Sequence, residues 1–165
     1  DGVVAGLGVV PRTELAEAAG LPVENGIVVD EYGRVGGHED VYAAGDVAAF
    51  PVPALGARMR VEHEDHANTH GRAVGANMAG AGVPYEHLPF FYSDLFDLGY
   101  EAVGEVDARL ATVEQWEEPN RKGVVAYVDG EHRPRGFLLW NVWDRVDRAR
   151  DLIRDGAALG EDLLG

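Results

Sequence analysis

The sequence of 165 residues contains no cysteine and a single lysine, and none of its apolar runs reaches the length of a membrane-spanning helix. The absence of cysteine excludes a disulfide framework, a thiol nucleophile and a dithiol redox pair within this chain. We recognise no signal peptide and no membrane span, so we expect a cytoplasmic location and no membrane partner.

Positive charge is also scarce. Only 14 Lys and Arg residues stand against 29 Asp and Glu residues, which gives a formal net charge of −15. Because an acidic surface repels phosphate backbones, we expect no nucleic-acid partner. A chain of this length can bury roughly 70% of its unfolded surface, so a sizeable core is expected.

The most informative stretch is Val41–Ala48, VYAAGDVA. Its apolar half predicts a buried strand that ends at Gly45. Glycine lets a ligand approach the backbone closely, and Asp46 would project a carboxylate from the carboxyl end of the strand, where open α/β sheets bind ligands. Such a carboxylate can accept hydrogen bonds from sugar or ribityl hydroxyls. The alternative is an aspartate that caps the next turn.

Residues 26–48 read GIVVDEYGRV and, after a short gap, VYAAGDVA. This order resembles the second FAD-binding segment of flavoprotein reductases that have two dinucleotide-binding domains. Gly26–Val29 predicts another strand, and 31–34 a tight turn. The family often has Thr and Pro before the Gly-Asp pair, where this sequence has Gly36 and Glu39. The resemblance implies that the Gly-Asp pair binds the ribityl or pyrophosphate part of FAD.

Val3–Val10, followed by Pro11, resembles the last strand of the NAD-binding domain in the same family. There Gly8 would let the backbone pass close to a nicotinamide ribose, and a simple turn at the end of a strand is the alternative. An apolar strand of this kind needs neighbours on both sides. We therefore expect this chain to be the C-terminal part of a longer protein.

Residues 62–79 predict one helix, whose small and apolar residues recur at helical spacing. We expect this face to pack closely on a sheet or a cofactor; it comprises Ala67, Gly71, Val74, Gly75 and Met78.

In the resembling family the N-terminus of this helix points at the pyrimidine edge of the flavin, where free N–H groups and the helix dipole stabilise negative charge. The resemblance implies that the backbone of Glu62, His63 and Glu64 holds that edge, with the imidazole close to the ring. His63, His66 and His70 also share one face, with Glu62 and Asp65 nearby, which suggests a metal site as a rival. One helix hardly brings three histidines to one ion, so we expect no metal and interpret His66 and His70 as hydrogen-bonded surface or interface residues.

Tyr85–Gly104, YEHLPFFYSDLFDLGYEAVG, resembles the opening of the C-terminal domain of the apoptosis-inducing factor and ferredoxin reductase group. RVEHEDHA, NMAG, PY and SDL also have counterparts there. The resemblance implies that Tyr92, where most such relatives have Trp, stacks near the flavin or nicotinamide. Without the resemblance, we would interpret Phe90, Phe91 and Tyr92 as core aromatics.

The rest of the chain predicts an antiparallel sheet, a helix from Asp144 to Ile153 that ends at Gly156, and a frayed tail at Ala157–Gly165. The predicted strands are Ala102–Val106, Ala111–Glu117, Gly123–Val128 and Gly136–Asn141.

Together these features predict an α/β fragment: the C-terminal half of a Rossmann-like FAD-binding domain, followed by an α+β interface domain with an antiparallel sheet. We divide the chain into 1–25 (tail of the NAD-binding domain), 26–87 (FAD-binding segment) and 88–165 (interface or dimerisation domain). The resemblance implies FAD and NAD(P)H as cofactors of the full-length protein, a nicotinamide donor, and an iron–sulfur protein as a possible acceptor. Exposed apolar strand edges left by the missing half would favour pairing of two copies, so we also expect a homo-oligomer. No residue need act as an acid or base.

The first dinucleotide-binding fingerprint, which binds the adenosine end of FAD, is absent from this sequence. We therefore expect the isolated chain to be inactive and to bind FAD weakly or not at all. The alternative function is a non-catalytic module for dimerisation or protein interaction.

Overall fold

The computed structural model describes residues 2–160 and 162–163. Two β-sheets are formed within these residues. The strands of the first sheet are, in spatial order, β1 (Val23–Glu24), β2 (Gly26–Val28), β3 (Ala48–Val52) and β4 (Ala57–Met59). The pair β2–β3 is parallel and the other two pairs are antiparallel. A parallel pair is the remnant expected of a Rossmann-like sheet.

The second sheet is antiparallel throughout. Its strands are, in spatial order, β5 (Phe90–Leu95), β6 (Leu98–Gly104), β9 (Pro134–Trp140), β8 (Lys122–Val128) and β7 (Ala111–Glu118). The predicted fold class, a Rossmann-like fragment followed by an antiparallel interface domain, is confirmed. The boundaries at 25/26 and 87/88 stay predictions.

Three α-helices complete the described part of the chain: α1 (Glu14–Ala18), α2 (Glu64–Met78) and α3 (Val146–Asp155). Helix α2 connects the two sheets, and α3 packs against β6 and β9. Gly156 ends α3 in the left-handed conformation, with a φ of +61°, as the sequence predicts. Within residues 2–160 and 162–163, no helix is long and apolar enough to span a membrane.

The two sheets share one hydrophobic core. Phe50 of β3, Val103 of β6, Phe137 of β9 and Ile153 of α3 belong to it, and none is more than 1% exposed. Burying a side chain of this size stabilises the fold by about 2 kcal/mol. Because this shared core holds both sheets together, the start of α2 lies beside the start of β5.

The strand predicted at Val3–Val10 is wrong. Residues 2–10 pair with no strand of the described chain, and Val3, Val4 and Leu7 are exposed. A strand is stable only when neighbours take up its hydrogen bonds, and no described strand lies beside this segment. Gly8 has a φ of +71°, a turn conformation.

The strand predicted before Gly45 is also wrong. Tyr42 forms only an isolated bridge to Arg34, Gly45–Val47 is a 3₁₀ turn, and β3 begins afterwards, at Ala48. The carboxylate of Asp30 accepts the N–H groups of Tyr32 and Arg34 and closes a tight turn. Residues 41–43 bond to that turn, and the resulting ladder is too short for a strand.

Helix α2 begins at Glu64, two residues later than predicted, because His63 is still extended, with φ −109° and ψ 137°. The predicted packing face is wrong as well: Gly71, Gly75 and Met78 are exposed. The buried residues of α2 are His66, His70, Val74 and Asn77. The interpretation of His66 and His70 as surface or interface residues is therefore wrong.

The four strands predicted in the second half are present with shifted ends, and β5 is an additional strand. Helix α3 begins at Val146 rather than after an Asp144 cap, because Asp144 itself is left-handed, with a φ of +60°. The tail is not frayed throughout: Leu163 is 1% exposed, and its N–H donates to Oε1 of Gln115 at 3.0 Å. Residues 161, 164 and 165 lie outside the described residues.

Candidate functional site

A cleft of about 710 Å³ lies between the start of α2 and strand β5. This volume is within the usual range for small-molecule and cofactor sites. Four residues singled out from the sequence, Glu62, His63, Glu64 and Tyr92, meet there. The lining residues are Glu62, His63, Glu64, Asp65, Asn68, Phe90, Phe91 and Tyr92.

The helix wall of the cleft presents a free helix N-terminus. None of the described side chains caps α2, and its first backbone bond joins the N–H of Ala67 to the carbonyl of His63. The N–H groups of Glu64, Asp65 and His66 therefore have no acceptor within the helix. Together with the positive end of the dipole, they can stabilise negative charge on a ligand.

The imidazole of His63 lies at this helix start, and its ring centroid is 4.6 Å from that of Phe91. Its Nδ1 is buried and has no hydrogen-bond partner within the described part of the chain. Burial lowers the pKa of His63, against the attraction of Asp65, Asp46 and Glu62. The imidazole is consequently neutral at pH 7, with a ring nitrogen free to bond to a ligand.

The opposite wall is the start of β5. Tyr92 is 58% exposed, whereas the neighbouring Phe90 and Phe91 are partly buried. An exposed aromatic ring at the mouth of a cleft can cover a flat ligand. The core-aromatic interpretation therefore fits Phe90 and Phe91 better than Tyr92.

Gly45 and Asp46 lie on the other side of the helix start. Asp46 is exposed and lines an adjoining cavity of about 380 Å³ together with Arg60 and Glu62, and Glu62 lines both cavities. Arg60 bonds to the carbonyl of Asp46 at 3.2 Å and pairs with Glu62 at 2.7 Å. Gly8 is not among the residues that line either cavity.

Gly45 contacts α2 through its backbone: its N–H donates to Nδ1 of His70 at 3.3 Å. A Cβ on Gly45 would lie 3.9 Å from Cα of Ala67, an ordinary contact. The glycine is required by its φ of +70° rather than by crowding.

The two buried histidines of α2 form an aromatic cluster with Phe50 and Tyr85. The ring of Phe50 stacks on His66 at 4.3 Å and contacts His70 at 5.3 Å. Nδ1 of His66 lies 3.1 Å from the hydroxyl of Tyr85. Residues 2–160 and 162–163 contain no group of three or more side chains suited to hold a metal ion.

Asp65 is a cleft residue that sequence reasoning considered only as a neighbour of a rival metal site. Its Oδ2 accepts from Nε2 of His87 at 2.6 Å, from the N–H of Phe90 at 3.2 Å and from Nη2 of Arg150 at 3.5 Å. These donors lie 22, 25 and 85 residues away along the chain, so no local pattern could reveal them.

The fold and the cleft are those of an α/β protein with a cavity of the size that cofactors occupy. Residues 1–71 match the family model described as pyridine nucleotide-disulphide oxidoreductase, and residues 74–121 match the model of the C-terminal region of mitochondrion-associated apoptosis-inducing factor. The chain belongs to the pyridine nucleotide-disulphide oxidoreductase family and includes a C-terminal region of the apoptosis-inducing factor type. The family predicted from the sequence is confirmed.

Three relatives illustrate the match. Apoptosis-inducing factor 1, mitochondrial, of Dictyostelium discoideum is 36% identical over 93% of this chain and 31% of its own length. The ferredoxin–NAD(+) reductase component of the anthranilate 1,2-dioxygenase system of Burkholderia cepacia is 35% identical over 95% of this chain and 38% of its own length. The structure of the ferredoxin reductase for the CYP199A2 system of Rhodopseudomonas palustris has a TM-score of 0.81 and 30% identity over 97% of this chain and 39% of that chain. This chain thus spans between 31% and 39% of their lengths.

Proposed function

We propose that this chain supplies the flavin-ring end of the FAD site in an oxidoreductase that passes electrons from NAD(P)H through FAD to an acceptor such as a ferredoxin. The observation that carries the proposal is the cleft in which the free N-terminus of α2, the ring of His63 and the ring of Tyr92 face one another. The names of the relatives, which include ferredoxin reductases, support the same reaction class.

The residues present fit FAD. Among the described residues, a buried ring nitrogen without a partner, on His63, and N–H groups without acceptors within α2, at Glu64–His66, suit the polar edge of a flavin. The chemistry that FAD supplies when bound is uptake of a hydride and release of single electrons. Asp46 is exposed beside the cleft and can accept hydrogen bonds from hydroxyl groups of the ribityl chain.

In this proposal the side chains bind and orient rather than transfer protons. The start of α2 stabilises negative charge at the pyrimidine edge, and Tyr92 excludes water from the face of the ring. A homo-oligomer and a cytoplasmic location stay proposals, and the curated relatives include mitochondrial proteins. The charge of −15 disfavours docking of an equally acidic ferredoxin on this part of the protein.

Titration of the ¹⁵N-labelled chain with FAD, followed by NMR, tests the flavin site. We expect the amide signals of Glu64–His66 and Tyr92 to shift and to saturate with a dissociation constant of about 1 mM, because only the ring end of FAD finds contacts in this chain. ADP is the matched control, since it carries the adenosine end alone and should leave these signals in place. No shift with FAD, or equal shifts with ADP, would contradict the proposal.

Replacement of Tyr92 by Ala should weaken FAD binding about tenfold, because stacking of a ring against a flat ligand contributes roughly 1.4 kcal/mol. Phe96→Ala is the control: Phe96 is a fully exposed aromatic residue that follows β5 and lines no part of the cleft. The same NMR titration measures both variants. If Phe96→Ala weakened binding as much as Tyr92→Ala, the ring of Tyr92 would have no specific role.

A further inference from the structure

The two walls of the cleft are tied together by three charged or polar side chains: Asp65, His87 and Arg150, which we call the Asp65 clamp. Asp65 belongs to the first turn of α2, and its Oδ2 accepts hydrogen bonds from His87, from the N–H of Phe90 and from Arg150. Phe90 is the first residue of β5, the opposite wall. One carboxylate oxygen thus bonds directly to the strand and to the side chains that support it.

Arg150 anchors the clamp to α3. Its Nε donates to the carbonyl of Leu88 at 2.9 Å, and its Nη2 lies 3.1 Å from Nε2 of His87. The guanidinium also lies 5.4 Å from the centroid of the Phe90 ring. Its side chain is only 11% exposed and that of Asp65 only 17%. In so little water, charge-assisted hydrogen bonds are strong and directional.

The clamp is placed where it controls the shape of the cleft. Asp65 and Phe90 both line it, and the bond between them crosses from the helix wall to the strand wall. Without the carboxylate, His87 and Arg150 would keep their partly buried donors but lose the acceptor that they share. Removing one partner from a largely buried group of charged side chains lowers the free energy of unfolding by far more than an exposed ion pair contributes to it.

We propose that Asp65 is a positioning residue: acting through His87 and Arg150, it fixes the separation of the two walls of the cleft and thereby the fit of the flavin ring. The first part of this proposal concerns the protein alone. The second part, the fit of the flavin, rests on the proposed function.

The absence of cysteine makes the wall separation directly measurable. Two cysteines introduced at exposed positions outside the cleft lining, Arg72→Cys on α2 and Asp94→Cys on β5, can be spin-labelled without competing thiols. Pulsed electron paramagnetic resonance then reports the distance distribution between the walls. We expect one narrow distribution in the parent and an approximately twofold broader one in Asp65→Asn, because the neutral amide cannot hold three donors.

Asp151→Asn is the matched control. Asp151 is an exposed carboxylate on α3 that pairs only at 3.4 Å with Arg154, so its neutralisation should leave the distribution unchanged. Superimposable distributions for the parent and Asp65→Asn would overturn the proposal, as would equal broadening in Asp151→Asn. If Asp65→Asn does not fold, Arg150→Lys takes its place. Lysine keeps the charge, but its single nitrogen replaces the Nε that bonds to Leu88 and the Nη2 that bonds to Asp65, so the distribution should still broaden.

The FAD titration separates the two parts of the proposal. With wall separation disturbed, Asp65→Asn should bind FAD about tenfold more weakly than the parent, while Asp151→Asn binds normally. A broadened distance distribution together with unchanged FAD binding would overturn the proposal that Asp65 positions the walls for the flavin. A parent chain that binds no FAD would instead contradict the proposed function, and the distance measurement would still decide whether Asp65 fixes the walls.

Discussion

Acidification from pH 7 to pH 5 should lower the free energy of unfolding by about 4 kcal/mol, because two neutral histidines are buried in the core. His66 and His70 are both 0% exposed. Burial, and to a smaller extent the neighbouring His70, lower the pKa of His66 to about 3. Burial alone lowers the pKa of His70 to about 4. In the unfolded chain both return to about 6.5.

The sign of the dependence of stability on pH follows from the number of protons that each state binds. Between pH 6.5 and pH 4 the unfolded chain binds a proton on each histidine and the folded chain does not, so stability rises with pH through this window and is lost on acidification. At pH 5 each of the two buried histidines lowers the free energy of unfolding by about 2 kcal/mol. Glu101 acts in the opposite direction, because burial raises the pKa of its carboxyl and the folded state takes up its proton more readily.

Urea unfolding at pH 7, 6 and 5 measures this slope. His70→Leu should reduce the loss of stability between pH 7 and pH 5 by about half, although the variant is less stable than the parent at pH 7 because the N–H of Gly45 loses its acceptor. His38→Leu is the control, since His38 is exposed and should not alter the slope. An unchanged slope in His70→Leu, or a flat profile in the parent, would contradict this account.

The burial of these histidines shows where sequence reasoning fails. Helix α2 was predicted from small and apolar residues at helical spacing, and its existence follows from that pattern. The same pattern led to the wrong face, because a neutral histidine can be buried whereas a charged one belongs on the surface, and periodicity does not distinguish the two. The buried face is decided by distant contacts, among them Phe50, which stacks on His66, and Tyr85, whose ring lies 4.6 Å from that of His70.

Local signals did predict Gly156 as the residue that ends α3, where it has a φ of +61°. The family resemblance, rather than a local signal, implied that Tyr92 and His63 lie near one ligand, and both line the same cleft. The strand at Val3–Val10 does not form within the described residues, because it depends on neighbouring strands that they do not supply. Asp65 was not recognised as a link between the walls because its partner Arg150 lies 85 residues further along the chain.

Gly33→Ala should lower the free energy of unfolding by about 3 kcal/mol, because the new methyl group meets both backbone strain and a buried side chain. Gly33 lies in the turn closed by Asp30 and has a φ of +83°. A Cβ there would overlap Cγ2 of Val74 and lie 3.0 Å from its Cγ1. Val74 is 3% exposed, and a β-branched side chain in a helix has one preferred rotamer, so it cannot turn away.

Gly37→Ala separates the two causes, because Gly37 has a similar φ of +80° but no atom within 4 Å of the position that a Cβ would take. Gly37→Ala should lower the free energy of unfolding by only about 1 kcal/mol, which is the strain of the backbone alone. Urea unfolding of both variants, and of Val74→Ala with and without Gly33→Ala, completes the test. If the contact between Gly33 and Val74 is the cause, the loss in free energy of unfolding of the double variant is about 2 kcal/mol smaller than the sum of the losses of the two single variants. Strict additivity would show that the turn and α2 are not packed at van der Waals distance.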